Sequence, residues 1–149
     1  RLIARKIGET CEEIVMAPDL LRRLGKSKDF DDLQKNYPLD AVLNYHNGRA
    51  DTWYLNEKLQ FNPAKPHFVG SHIHNALQAA LAGNAVSQQL DWMVAPYLLS
   101  GELVELFAEV PQIRWPVSIS RPQRVVTPVR VTVVFDLLAE ILGKRFGQN

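Results

Sequence analysis

The sequence has little cysteine and no long apolar run, and both shortages exclude classes of protein. Cys11 is the single cysteine among 149 residues, so neither an intrachain disulfide nor a four-cysteine zinc site can form. No apolar stretch approaches the roughly 20 residues that a membrane-spanning helix needs. Residues 1–6 also lack the apolar core and cleavage site of a signal peptide. We therefore expect a soluble protein of the reducing cytoplasm, with no contact to a membrane.

The sequence also lacks an excess of charge of either sign. Its net charge is +1 with acids and bases interspersed, so it has no basic face of the kind that neutralises phosphates. A hydrophobic fraction of 46% and this chain length allow the core of one ordinary domain, or part of one. Because the chain begins at Arg1 and in the middle of a pattern, we interpret its start as the edge of a fragment.

Strands and helices alternate along the chain through short connections. Pro18 is placed to begin a helix that ends at Gly25, and Asp29 is placed to cap a helix over residues 30–35. Thr127 as N-cap, with Pro128 in the first turn, begins a long last helix. The pattern further predicts a helix over 95–100 and strands over 12–17, 39–43, 52–55, 67–70, 84–87, 102–107 and 113–119, with 39–43 and 52–55 able to form a hairpin. This order predicts α/β layers around a mixed or mostly parallel sheet.

The clearest amphipathic helix follows the strand at 67–70. Ser71 is its predicted N-cap, and Gly83 ends it. Its apolar residues repeat at the spacing of one helix face: Ile73, Ala76, Leu77, Ala80 and Leu81.

Several segments, in this order and spacing, resemble the effector-binding domain of LysR-type transcriptional regulators over nearly the whole chain. They include VMAPDLL at 15–21, ALQAALAG at 76–83, DWMVAP at 91–96 and SGELV at 100–104. Residues 2–9, 31–33, 129–130 and 135–138 add shorter matches. Each segment alone is too common in proteins to identify a family. The resemblance rests on the order and spacing of all of them together.

The resemblance implies a periplasmic-binding-protein-like fold of type II, an α/β fold in which a mixed sheet has flanking helices. On that plan the chain, 1–149, is a fragment of the effector-binding domain, with a complete second subdomain at about 12–110. Residues 1–11 and 111–149 supply the crossover and a partial first subdomain, and the N-terminal winged helix-turn-helix is absent. The strand near Trp115 and the helix from Pro128 have then lost the sheet on which the family packs them.

The chain departs from the family after Gly83. Ala85 and Asp91 stand where the family usually has a second glycine and a proline, and Gln88 and Gln89 intrude between them. We therefore expect an altered loop there.

The resemblance also implies the function and the site. The module senses a small-molecule effector, polar or anionic, without a cofactor, as a homodimer or tetramer that reaches DNA only through the absent N-terminal domain. Free N–H groups at helix starts suit such effectors. The first candidates for effector contact are Val69, Gly70, Ser71 and His72, and the second are Met16 and Ala17. The alternative is that Ser71 only caps its helix and His72 is an ordinary surface residue.

Two rival functions remain open at this point. One is an exported solute-binding protein, which shares the bilobed architecture. The other is a metalloenzyme that uses His67, His72 and His74, which we do not favour because no cysteine lies nearby and the chain has no HExxH helix. On the predicted helix, His72 and His74 would also project about 200° apart. We therefore expect neither a metal site nor catalytic residues.

The remaining aromatic residues favour packing over nucleic-acid contact. No basic residues interleave with Trp53, Trp92 and Trp115, so we expect core or subunit-contact roles for them. As subunit contacts of the second subdomain we consider residues 76–81 or 19–25.

Overall fold

The computed structural model describes residues 1–147, in which helices and strands alternate. In chain order these are β1 (Leu2–Met16), α1 (Pro18–Leu24), α2 (Phe30–Asn36), β2 (Asp40–Val42), β3 (Trp53–Tyr54), β4 (Gln60–Phe61), β5 (Phe68–Gly70), α3 (Ile73–Leu81), β6 (Ser87–Leu90), α4 (Asp91–Ser100), β7 (Val104–Leu106), β8 (Arg114–Pro122) and α5 (Val129–Phe146). No described helix is both long enough and apolar enough to cross a membrane.

The described residues divide into two compact units. The central unit comprises Glu12–Ile113, and the terminal unit comprises residues 1–11 with those from 114 onward. β1 contributes its first part to the terminal unit and its last part to the central unit. Each unit has its own strand pairing.

The central unit contains the mixed sheet that the alternation predicts. β1 lies between β6 and β7 and is antiparallel to both. A parallel bridge from Leu39 to Val86 sets β2 beside β6, and the N–H of Asp40 donates to the carbonyl of Val86 at 3.0 Å. β5 then pairs with β2 in parallel, with Gly70 opposite Val42.

Alternate residues of β1 fill two cores, one on each face of the sheet. Ile14 and Met16 belong to a cluster with Leu20 of α1 and Leu33 of α2. Val15, on the opposite face, belongs to a second cluster with residues of α3 and α4: Leu77, Ala80, Met93 and Val94. Burial of each of the larger apolar side chains contributes about 1.5–3 kcal/mol to stability. The sheet and the helices packed on its two faces form the framework that holds the surrounding loops.

The first two helices begin where the sequence predicts. Pro18 is the first residue of α1, and Gly25 ends it with a φ of 80°, a conformation that glycine adopts without strain. The side chain of Asp29 accepts a hydrogen bond from the N–H of Asp32 at 2.8 Å and so caps α2. Both predictions are confirmed.

The predicted hairpin between residues 39–43 and 52–55 is wrong. β2 pairs with β5, and β3 pairs with β4 instead. A single bridge joins Leu43, at the end of the first segment, to Ala50, which lies in the turn-rich sequence before the second. The parallel partner of β2 lies far along the chain, and no local turn pattern encodes that pairing.

Two further helix boundaries differ from the prediction. α4 begins at Asp91 rather than near Ala95, and Pro96 lies inside it. Because Met93 and Val94 are buried in the second core, packing outweighs the cost of an internal proline. Pro128, and not Thr127, is the N-cap of α5, without a side-chain cap.

The terminal unit pairs the first part of β1 with β8. The register runs antiparallel from Leu2 opposite Pro122 to Cys11 opposite Arg114, with an irregularity between Lys6 and Gly8. At Gly8 a Cβ would lie 2.3 Å from the carbonyl oxygen of Phe146 in α5, so glycine alone permits this approach.

One side of α5 is apolar and open to solvent. Val134 is 53% exposed, Leu138 43% and Ile141 53%. These residues lie on one face of α5, and Val134 and Leu138 line a groove of about 510 Å³ between β8 and α5. Exposed apolar side chains that lie side by side in this way are typical of a surface that packs against another element or partner.

Candidate functional site

The first predicted effector segment lies where β5 passes into α3. Gly70 ends β5, and α3 begins at Ile73. Ser71 is not the N-cap; the Nδ1 atom of His72 takes that role and accepts a hydrogen bond from the N–H of His74 at 3.3 Å. The predicted helix start is one residue too early, because serine is a common N-cap and histidine is not among the preferred N-cap residues.

The turn before α3 presents backbone donors. Among the described residues, the N–H groups of Ser71, His72 and Ile73 donate no hydrogen bond. Ser71 and His72 are exposed, and Val69 is half exposed. Consecutive free N–H groups at a helix start carry the positive end of the helix dipole, so this turn attracts carboxylate, phosphate or carbonyl oxygens.

The two histidines at this turn lie together. The rings of His72 and His74 are stacked, with centroids 5.1 Å apart and planes inclined by 15°. The expected separation of about 200° assumed that both residues belong to the helix. Because His72 is the cap and has extended backbone, its ring folds back over the first turn. In the part of the chain that the structure describes, no group of three or more metal-ligating side chains could hold a metal ion.

A buried polar chain supports the start of α3 from below. The amide Nε2 of Gln89 donates to the hydroxyl of Ser87 at 2.6 Å, and to the carbonyl of Ile73 at 3.4 Å. Ser87 in turn forms a hydrogen bond with the carboxyl of Asp40. Gln89 and Ser87 are fully buried, and Asp40 is 2% exposed. These buried hydrogen bonds therefore hold Ile73, the first residue of α3, from inside the unit.

The sequence does not predict that these buried polar side chains support α3. The sequence pattern predicts that Gln88 and Gln89 lie in an altered loop, whereas both lie in β6 and are buried. The available indication was their alternation: Ser87 and Gln89 share one face of the strand, and Gln88 and Leu90 share the other.

Two carboxyl groups on this side of the sheet have strongly raised pKa values. Burial raises the pKa of Asp40 to about 7, against a smaller opposing effect of the hydrogen bond from Ser87. Burial, followed by the charges of Glu105 and Asp91, raises the pKa of Glu13 to about 7. One oxygen of each carboxyl has no hydrogen-bond partner, as expected of groups that are neutral for part of the time near pH 7.

The second predicted pair, Met16 and Ala17, does not join this turn. β6 and β2 run opposite to β1, so Met16 lies beside the start of β6 while Gly70 ends β5 at the other end of the sheet. Met16 is fully buried, and Ala17 is 5% exposed. The structure therefore brings Val69, Gly70, Ser71 and His72 together and leaves this pair apart.

Comparison with known proteins agrees with this architecture. The family model described as LysR substrate binding domain matches residues 1–143. No curated protein sequence matches the chain. The structure is similar to the regulatory domain of CrgA, a LysR-type transcriptional regulator from Neisseria meningitidis, with 22% identity and a TM-score of 0.77 over 95% of this chain and 69% of that one.

Two further structures resemble it at similar or lower identity. The regulatory domain of AphB from Vibrio vulnificus is 20% identical with a TM-score of 0.74, over 94% of this chain and 69% of that one. Full-length LysG from Corynebacterium glutamicum is 14% identical with a TM-score of 0.66, over 96% of this chain and 46% of that one. The chain thus spans about two thirds of the regulatory domains and about half of a full-length regulator. At these identities the likeness shows the fold, which is the periplasmic-binding-protein-like type II fold that the sequence predicts.

Proposed function

Because the chain belongs to the LysR substrate-binding domain family and is an effector-sensing regulatory module of that kind, we propose that a small polar effector binds at the start of α3. The proposed contacts are Val69, Gly70, Ser71 and His72. The observation that supports this site is the run of unused N–H groups on Ser71, His72 and Ile73. Met16 and Ala17 stay a separate prediction, since they lie at the other end of the sheet.

An effector with carboxylate or other oxygen acceptors suits this turn best. Each free N–H donates to an oxygen, and the helix dipole adds a favourable interaction of about 0.3–1 kcal/mol with a negative charge. The buried carboxyl of Asp40 does not oppose such a ligand fully, because its pKa of about 7 leaves it largely protonated below neutrality. We therefore propose an anionic or zwitterionic effector.

Binding, and not catalysis, is the proposed activity. The family and the fold are those of regulatory domains. The effector shifts the module between two arrangements by the difference in its affinity for them, and that difference bounds the regulatory effect.

We further propose that the whole protein is cytoplasmic, forms a homodimer or tetramer, and contacts DNA through a winged helix-turn-helix outside this chain. The family match favours this function over an exported solute-binding protein.

The site is tested by adding one negative charge either at the turn before α3 or farther along the helix. Ser71→Asp places a carboxylate on the exposed turn, where it is compatible with the helix start but repels an anion. Gln78→Glu adds the same charge on the exposed part of α3 beyond its first turn. Thermal shifts of the full chain with succinate, citrate and phosphate, each at millimolar concentration, give the readout.

We expect at least one of these anions to stabilise the unsubstituted chain and the Gln78→Glu variant, and to lose most of this effect in Ser71→Asp. Equal effects in both variants, or no stabilisation by any of the three anions, would contradict an anion site at this turn.

A further inference from the structure

A second cavity lies in the central unit and shares no residue with the turn before α3. It has a volume of about 390 Å³, and its lining is mostly polar. Its walls are Glu12 of β1, the segment between β2 and β3, Tyr54, and Asn62 after β4. The volume falls in the range of small-molecule sites.

The amide side chains of this cavity are already used to build its wall. Asn44 accepts from the N–H of His46 at 3.0 Å and donates to Asp51 at 3.3 Å. Asn62 donates to the carbonyl of Ala50 at 3.0 Å and accepts from Thr52 at 3.0 Å. These hydrogen bonds hold the loop in place, so the groups that remain for a ligand are the charged ones.

Charges of both signs remain without partners. Within residues 1–147, neither the guanidinium of Arg49 nor the carboxylate of Glu12 forms a hydrogen bond or ion pair. Burial, and then the nearby charge of Asp51, raises the pKa of Glu12. A carboxylate in this position is stabilised by a cation that lies between it and Asp51.

We propose that this cavity binds a zwitterionic small molecule with an ammonium and a carboxylate group, as in a free α-amino acid. The ammonium lies between the carboxylates of Glu12 and Asp51, where it offsets their mutual repulsion. The ligand carboxylate lies on Arg49, whose planar guanidinium can donate two parallel hydrogen bonds to it. This site is additional to the effector turn and contacts a ligand through side chains and not through backbone N–H groups.

The test uses the full chain and the free L-amino acids, each added separately at millimolar concentration. Isothermal titration measures affinity for every amino acid that raises the thermal transition. Each hit is compared with its N-acetyl derivative, which lacks the ammonium, and with its carboxamide, which lacks the carboxylate. Arg49→Gln and Glu12→Gln remove one charge each, and Arg22→Gln and Glu57→Gln, at exposed positions outside the cavity, remove the same charges as matched controls.

We expect at least one amino acid to bind, with about tenfold weaker affinity in each cavity variant and unchanged affinity in the two controls. The derivatives that lack one charge should bind as weakly as the variants. If no amino acid binds, or if Arg49→Gln and Glu12→Gln bind normally, the proposal is wrong. Loss of binding in Ser71→Asp alone would instead assign the ligand to the turn before α3, which separates this proposal from the proposed function.

Discussion

The side-chain amide of Gln88 pairs with the backbone of Tyr54 as a neighbouring strand would. Its Oε1 accepts from the N–H of Tyr54 at 3.0 Å, and its Nε2 donates to the carbonyl of the same residue. One buried side chain of β6 thereby satisfies both peptide groups on one edge of β3.

Replacing this amide should destabilise the central unit. Gln88→Met keeps the length and volume of the side chain but removes both hydrogen bonds to the backbone of Tyr54, at a cost of about 2 kcal/mol. Urea unfolding measures the change in the free energy of unfolding. Gln34→Met, at an exposed position of α2, is the control, and an equal loss in both variants would show that the paired amide is not the cause.

Asp40 should make the free energy of unfolding fall as the pH rises. Its pKa is about 7 in the folded chain and 3.8 for an ordinary aspartate, so between these limits the unfolded chain releases the proton more readily. The contribution of Asp40 to stability is therefore fully present below about pH 4, falls through the interval and is lost above about pH 7, and the full loss is on the order of 4 kcal/mol. Asp40→Asn should remove much of this slope.

Unfolding of both proteins at a series of pH values checks the sign. Glu13, whose pKa is raised in the same direction, contributes to the slope that remains in Asp40→Asn, and Glu13→Gln should reduce it further. Asp31→Asn, on the exposed side of α2, serves as the control and should keep the slope of the unsubstituted chain. A slope that is unchanged in Asp40→Asn contradicts the prediction.

The cap of α2 should be worth about 1 kcal/mol. Asp29→Ala removes the acceptor for the N–H of Asp32, and this loss typically costs about 0.5–2 kcal/mol. Asp29→Asn keeps an oxygen in the same place and should retain most of the stability. Chemical denaturation of both variants distinguishes them, and equal stabilities would mean that the side-chain oxygen does not cap the helix.

The exposed side of α5 should bind an apolar dye. Val134 and Leu138 line the groove of the terminal unit, and an anilinonaphthalene sulfonate dye becomes fluorescent on such a surface. Replacing both by glutamine should reduce the fluorescence to about half or less. Leu99→Gln removes an isolated exposed leucine and should change nothing. A similar decrease in both proteins would show that the groove is not the binding surface.

Local patterns predicted the parts of the fold that local chemistry determines. The starts of α1 and α2 follow from Pro18 and Asp29, each of which acts within one turn of its own position. The apolar repeat of α3 predicted its buried face, and Ala76, Leu77 and Ala80 are buried. The resemblance to the LysR family predicted the type of fold, which is now shown.

Local sequence patterns do not predict contacts between residues that are far apart in the sequence. The parallel pairing of β2 with β5 joins segments separated by a loop and a hairpin, and α4 begins at Asp91 because its first turn fills a core. The support of α3 by Gln89 likewise depends on a strand that lies next to the helix only in the folded unit. For the candidate site, the segment was predicted from the family plan, but the cap on His72 and the buried chain beneath it were not.

The close approach of Gly8 to the carbonyl of Phe146 also constrains the gene. Any base change in the first two positions of a glycine codon encodes a different residue, or a stop. Every encoded replacement brings at least a Cβ, which would lie 2.3 Å from that carbonyl oxygen. No single coding change at this position leaves the contact between β1 and α5 intact, so substitutions there should be lost by selection wherever the terminal unit is needed.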